Sequence, residues 1–270
     1  MDFFDPDREG IVRAKEMVKR FTASRGVRES DLSLPSLAIV TFSRRVLEGL
    51  VRVFGGIKSG PWLGRNPNLF LAAVDERSLV LTKSPLGAPI AAILLEELVA
   101  FGVRRAVFLG HCGSIQDDVG LGEIVLPAQV VREDGTSYHY LPGGAECKPD
   151  SRLLDRLQQW LQQTGIPARR GRTWTTDALY RETQGKIERY RSEGVLAVDM
   201  EVSGLFAVGA ARMVEIVALL LVSDQFSSDA WTAGFFHPLL VERERQLIEL
   251  LPAWIGEELK HPVCDTSMED

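Results

Sequence analysis

The stretch that decides the fold is "GVLAVDMEVSGLFAVGAARMVEIVALLLVSDQ", residues 194–225. Near its end, "EIVALLLVSD" (215–224) is an apolar run that stops abruptly in Ser–Asp. A run without alternating polar residues reads as a strand covered on both faces of a central sheet. Before it, small and apolar residues follow one another at helical spacing, so a helix leads into the strand. That helix opens on an acidic cluster, Asp199 and Glu201 around Met200. Two carboxylates at the mouth of an apolar helix are costly to bury without a partner. The pattern therefore asks what they hold.

The flanking chain repeats the alternation of strand and helix. Residues 7–26 read as a charged amphipathic helix with Ile11, Val12, Met17, Val18 and Phe21 near one face. A short buried strand (34–43) is followed by a helix (44–55) that ends at glycine. A Gly-, Pro- and Asn-rich loop (55–68) leads to a hairpin over 68–85 that turns at 75–78. Residues 88–103 form an apolar helix with proline in its first turn and Gly102 at its end. Strands follow at 104–115, 122–134 and 168–180, and helices at 150–166, 183–194 and 237–259. The pattern is that of an α/β protein built on a central sheet. No internal repeat or linker divides it, so residues 1–270 read as a single domain. Residues 1–30 are a helical extension and 261–270 a disordered tail.

Composition narrows the function classes. The net charge of −6 recruits neither DNA nor RNA, although a local basic pocket is compatible with it. Cys112, Cys147 and Cys264 are too widely spaced for a disulfide framework or a zinc motif, which fits a reducing, cytoplasmic setting. The start, "MDFFDPDREG", is acidic and lacks the apolar core of a signal peptide. No apolar run reaches membrane-spanning length.

Ligands of α/β sheets bind beyond the carboxyl ends of the strands. Three apolar strands end there in polar residues: "LVLTKS", "VFLGHCGS" and "ALLLVSDQ". Asp224 follows a run of apolar residues and one serine, so its carboxylate emerges at the sheet edge, where burial favours a proton donor. A turn or helix-capping aspartate is the commoner use of such a position. "GHCGS" (110–114) offers close backbone approach at Gly110, amides for an anion or sugar oxygen, and His111 as a phosphate donor. The alternative is a tight turn with a structural histidine. In "DMEVSG", Glu201 can accept from two adjacent hydroxyls, matching a ribose 2′,3′ edge, with Met200 packing on the sugar. The alternative is a solvated helix start favoured by the helix dipole. "FSRRV" places Arg44 and Arg45 where a strand becomes a helix, a place suited to phosphate or carboxylate recognition or simply to solvated arginines.

From about Leu37 to the terminal helix, the chain resembles the nucleoside phosphorylase family that includes uridine phosphorylase and the hexameric purine nucleoside phosphorylases. The blocks "AIVTFSRRV", "SPLGAPIAAILLEEL", "GVRRAVFLGHCGSIQDDVGLGEIVLP", "VREDGTSYHYLP", "TWTTDALY" and the stretch 194–225 occur in the family's order. The resemblance implies an α/β/α sandwich around a mixed, partly barrel-like sheet. It implies that Glu201 grips the ribose hydroxyls with Met200 as packing partner, and that His139 is a further ribose contact. Asp224 is then the residue acting on a purine leaving group, with Leu179, Tyr180 and Ser223 lining the base pocket. Arg45, or Arg44 if the alignment shifts by one, binds phosphate together with Gly110 and His111. Phosphate is a co-substrate, and no metal or organic cofactor is implied. The implied partners are small molecules, with neither nucleic acid nor membrane, and the family's dimers or trimers of dimers imply a homo-oligomer.

Several positions depart from the family pattern. "TFS" replaces Gly-Asp-Pro before the phosphate arginine, and Phe108 stands where a second phosphate arginine normally lies. His111 replaces a small hydroxyl residue, and Leu179 a phenylalanine. "GHCG" is also similar to the corresponding loop of AMP nucleosidase, a hydrolase on the same fold. A nucleosidase using water is therefore the second reading. It requires a general base, and "AIVTFSRR" contains no glutamate. A nucleoside-binding protein without turnover is the third. "QGK" (184–186) is faintly similar to the Gln-x-Arg pair that reads uracil, so the base stays open between purine and pyrimidine.

Overall fold

The structure is a computed structural model that describes residues 3–7, 10–227 and 230–263. Cys264 and the rest of the expected tail beyond residue 263 lie outside the described residues. Ten strands form one mixed sheet: β1 (Leu37–Thr41), β2 (Ile57–Lys58), β3 (Phe70–Val74), β4 (Arg77–Lys83), β5 (Arg105–Ser114), β6 (Ile124–Glu133), β7 (Ala168–Thr176), β8 (Ala197–Asp199), β9 (Glu215–Phe226) and β10 (Trp231–Ala233). The helices are α1 (Ala14–Ala23), α2 (Arg44–Phe54), α3 (Ala88–Ala100), α4 (Ser137–Tyr140), α5 (Ser151–Thr164), α6 (Gln184–Ser192), α7 (Val202–Arg212) and α8 (Pro238–Glu258).

The order β10-β9-β6-β7-β8-β5-β1-β4-β3-β2 has one additional pairing, β9 with β5. β5, β9, β6, β7 and β8 therefore pair round a ring, and β1, β4, β3 and β2 extend from it as an open sheet. This is the mixed, partly barrel-like arrangement that the resemblance implies. Side-chain alternation along the central strands divides the core into two layers. Ala106 and Phe108 of β5 and Ile216, Ala218 and Leu220 of β9 pack with α3 and α7. Val107 and Leu109, with Val217, Leu219 and Leu221, pack with α2, α5 and α8. Both faces of β5 and β9 are covered, which is why their central stretches, 106–109 and 216–222, are apolar.

Local signals place the helix ends. Ser43 caps α2 by accepting from the Val46 amide, and Asp150 caps α5 by accepting from the Leu153 amide. Gly55 and Gly165 close these helices in the left-handed conformation. The structure corrects several boundaries: the strand expected over 168–180 stops at Thr176, and the loop expected over 55–68 contains β2. The N-terminal helix covers Ala14–Ala23 rather than 7–26, and Ile11 and Val12 are exposed ahead of it, so its buried side is only Val18 and Thr22. The hairpin turns on Asp75 and Glu76 alone, both at positive φ, and Arg77 and Ser78 already belong to β4. Val198 and Asp199 belong to strand β8, and the helix that follows begins only at Val202.

Candidate active site

The site lies at one edge of the sheet. Thr41 of β1 is level with Leu109 of β5 and Lys83 of β4; β1 and β4 end there together, while β5 runs on to Ser114. Farther along β5, Gly113 is level with Val198 of β8 on one side and with Asp224 of β9 on the other. Val198 and Asp224 are thus two strand spacings apart, about 10 Å. A register shift between Cys112 and Gly113 sets this alignment. A single strand therefore separates the segments bearing Glu201 and Asp224, although 23 positions separate them in the chain.

The two acids of the opening stretch have different tasks. Asp199 is buried, and its Oδ1 accepts from the amides of Glu201 (2.9 Å) and Val202 (2.8 Å) and from Thr175 Oγ1 (2.8 Å). It ties β7 to the first turn of α7. Burial pushes its carboxyl up to about 6, against the lowering effect of these donors. Its Oδ2 has no partner among the described residues. Glu201 is only 6% exposed, which rules out the solvated helix start. Its Oε1 accepts from the Gly87 amide at 2.7 Å. Gly87 stands at the N-terminus of α3 with φ of 105°, a conformation suited to glycine. The Glu201 carboxylate is thus held at a helix N-terminus, where negative charge is favoured. Burial still dominates and pushes its pKa up to about 7, while the Gly87 amide works against it.

Asp224 leaves the sheet between two donors. Its Oδ1 accepts from Ser223 Oγ at 2.7 Å and its Oδ2 from Trp231 Nε1 at 2.8 Å. The hairpin of β9 and β10 brings Trp231 there, with Ala233 level with Asp224. Gly113 permits this approach: a Cβ at that position would stand 2.8 Å from both Asp224 Oδ2 and Phe226 Cε2. Two more groups join the cluster. Burial pushes the Cys112 thiol well up, and the charges of Asp199 and Asp224 add to that. Glu182, half-buried after the 3-10 turn Leu179–Arg181, is raised to about 7 by burial, then by Asp224 and Asp199.

The residues expected at the anion converge on a side chain absent from the sequence reading. Arg45 Nε donates to Glu244 Oε2 at 2.5 Å, and His111 Nε2 lies 2.8 Å from Glu244 Oε1. Glu244 comes from α8 and its side chain is 2% exposed. Burial works to raise its pKa, but the bonds from His111 and Arg45 outweigh burial and hold it below the usual carboxylate range. Arg44 instead pairs with Glu48 on the surface. Gly110 faces inward, where a Cβ would stand 3.0 Å from Leu220 Cδ2 and 3.6 Å from the Phe42 ring. Phe108 is buried and stacks with Phe42, with centroids 6.4 Å apart. The position of the second arginine is thus part of the core.

Other expected residues are more dispersed. Ser223 is buried against Asp224, and Met200 is half-buried between Asp199 and Glu201. Leu179 and Tyr180 stand on the 3-10 turn, 48% and 95% exposed. His139 stacks on Phe3, centroids 5.1 Å apart, and lines a cleft with Ala210, Ala211 and Arg212. Sequence reading missed Glu182, the Gly87 amide and Glu244. Only Glu244 carried a signal: it falls on the stripe Leu240, Leu247, Leu251 of an amphipathic helix, a costly place for an unpartnered acid.

A mixed sheet with carboxylates gathered at the ends of β8 and β9 defines an α/β protein whose site suits a small polar ligand. Its fold is similar to that of uridine phosphorylase from Vibrio fischeri ES114, with a TM-score of 0.70, 20% identity, and coverage of 85% of this chain and 93% of that one. The chain belongs to the Phosphorylase superfamily, whose family model matches residues 36–251, and within it to the nucleoside phosphorylases. It is 30% identical over 168 residues to a purine nucleoside phosphorylase DeoD-type of Alkaliphilus metalliredigens (strain QYMF), covering 61% of this chain and 72% of the relative. It is 28% identical over 151 residues to a guanosine phosphorylase of Halorubrum lacusprofundi, covering 56% and 63%. The chain thus spans about two thirds of the length of these curated relatives.

Proposed function

We propose that the protein is a pentosyltransferase that cleaves the N-glycosidic bond of a ribonucleoside with inorganic phosphate, releasing free base and ribose 1-phosphate. The observation that carries this reading is the placement of Glu201. It is a buried carboxylate with one oxygen fixed by Gly87, held one strand away from the segment of Asp224. Glu201 accepts from the ribose hydroxyls, with Met200 packing on the sugar. A phosphate oxygen attacks C1′ as the C1′–N bond breaks, and the bonding electrons leave with the base. Asp224 donates to that base, which suits the N7 acceptor of a purine, while Ser223 orients Asp224 and Leu179, Tyr180 and Glu182 border the base. Arg45 and His111 face the anion beside Gly110. The chemistry needs no metal or organic cofactor, because leaving-group and sugar stabilisation come from these side chains.

A nucleoside panel with and without phosphate tests the reading, with free base and sugar products separated by chromatography. Ribose 1-phosphate is the expected product. Free ribose formed at the same rate without phosphate refutes phosphorolysis. That second outcome has one observation in its favour: Glu244 supplies, beside His111, the carboxylate that "AIVTFSRR" lacks. The unbroken ten-stranded sheet supports one domain over residues 1–270. Exposed Ile90 and Ile93 on α3, with Met17 and Phe21 on α1, support a homo-oligomer, which light scattering at micromolar concentration checks for size.

A further inference from the structure

The cluster Arg45–Glu244–His111 carries an inference about how the anion binds, and it rests on the phosphorylase reading above. Arg45 contributes only its Nε to Glu244, so among the described residues its two terminal amino groups have no hydrogen-bond partner. Its side chain is 42% exposed, which leaves that edge accessible to an oxyanion. His111 is 25% exposed and meets Glu244 through Nε2. An ionised carboxylate only accepts, so Nε2 carries a hydrogen and Nδ1 is the nitrogen that changes protonation. The small pocket around the cluster is lined by Val46, Leu109, Gly110, Leu221, Leu247 and Ile248, all apolar, besides His111 and Glu244. Arg45 is the remaining charged group that meets Glu244. No other titratable side chain among the described residues lines this pocket.

The charge balance follows. Arg45 and Glu244 cancel, so the cluster is neutral while His111 is neutral and carries one positive charge when His111 is protonated. Phe108 removes the second arginine that would otherwise supply that charge. We propose that Glu244 is a positioning residue that couples phosphate binding to uptake of a proton at His111 Nδ1. Glu244 orients Arg45 through Nε, cancels its charge, and holds His111 where an imidazolium donates to the incoming anion. The proton comes from solvent and returns there when the anion leaves.

The test is phosphate binding by calorimetry at pH 7.5 in buffers of differing ionisation enthalpy, on the full chain, which counts protons taken up per phosphate bound. E244Q and H111Q are compared with the native protein, so the titration of phosphate itself cancels in the difference. The native protein is expected to take up more protons per phosphate than either variant. In parallel, the ratio of native to E244Q phosphate KM is expected to rise from near one at pH 5.5 to about tenfold at pH 8.5, because the variant keeps the free charge of Arg45. The nucleoside KM is expected to stay level in E244Q. Thermal unfolding confirms that E244Q is folded, and H111Q gives an independent reading if it is not. Equal proton uptake in all three proteins, a KM ratio flat with pH, or absence of phosphate binding overturns the proposal. Glu244-dependent uptake without ribose 1-phosphate formation would instead leave the proposal standing and remove the phosphorylase reading.

Discussion

Replacing Glu201 by Gln separates catalysis from stability. The residue is 6% exposed, and burial raises its carboxyl from 4.5 to about 7. Below pH 4.5 the group is protonated in both folded and unfolded chains and costs nothing. As pH rises through 7, the unfolded chain ionises first and the fold loses that stability. Above pH 7 the loss reaches about 3 kcal/mol, at 1.36 kcal/mol for each pH unit of displacement. Gln does not ionise, and its oxygen can still accept from the Gly87 amide. E201Q is therefore expected to match the native protein at pH 4 and to exceed its stability at pH 8 by up to about 3 kcal/mol, a rise of roughly 6–10 °C in Tm. Activity is expected to move the other way. The ribose hydroxyls lose a charged acceptor and meet an amide donor, which removes about 3 kcal/mol of transition-state binding, or about 100-fold in kcat/KM. Differential scanning fluorimetry at both pH values and kinetics on a ribonucleoside and its 2′,3′-dideoxy analogue read both effects. A variant less stable at pH 8, or one that keeps the native preference for the ribonucleoside, would refute the reasoning.

Asp224→Asn keeps shape but removes the acid, so purine nucleosides with poor leaving groups are expected to slow by 100-fold or more while activated substrates change little; equal slowing of both contradicts the role. Gly113→Ala places a Cβ 2.8 Å from Asp224 Oδ2 and from Phe226, so kcat is expected to fall at least about tenfold while the phosphate KM moves little; unchanged kcat would show that the site absorbs the Cβ. Arg45→Ala is expected to raise the phosphate KM for every base alike, and turnover without phosphate that ignores this change would favour the hydrolase. At the opposite sheet edge, Arg105 is 2% exposed and bonds Glu215 Oε2 at 2.5 Å and the Glu258 carbonyl at 2.6 Å. Arg105→Ala is expected to cost about 3–5 kcal/mol by leaving buried acids short of a partner, with nucleoside and phosphate KM unchanged in the folded protein; denaturant titration measures it.

Much of this architecture is written locally. The unbroken apolar runs of β5 and β9 announce strands covered on both faces, because every side chain of such a strand meets core. Asp199, Glu201 and Asp224 stand out because each carboxylate sits beside residues that exclude water. Their position near strand ends follows from where the apolar run stops: Asp199 closes β8 and Asp224 lies two residues before the end of β9. The proton-linked cluster is different. His111 and Glu244 are 133 positions apart and Arg45 and Glu244 are 199 apart, so no local pattern pairs them. The Cys112–Gly113 register shift that levels Asp224 with Val198 is likewise a property of three strands together. Glu182 looks like an ordinary loop acid until the fold sets it near Asp199 and Asp224, and His139 sits in a block resembling the substrate segment and stacks on Phe3. Sequence alone determined which residues are apolar enough to build the sheet and which acids lie at its edge. Only the tertiary structure decided which charges lose their water and which partner meets them, because burial and the Coulomb energy of a pair depend on distances in space and not on separation along the chain.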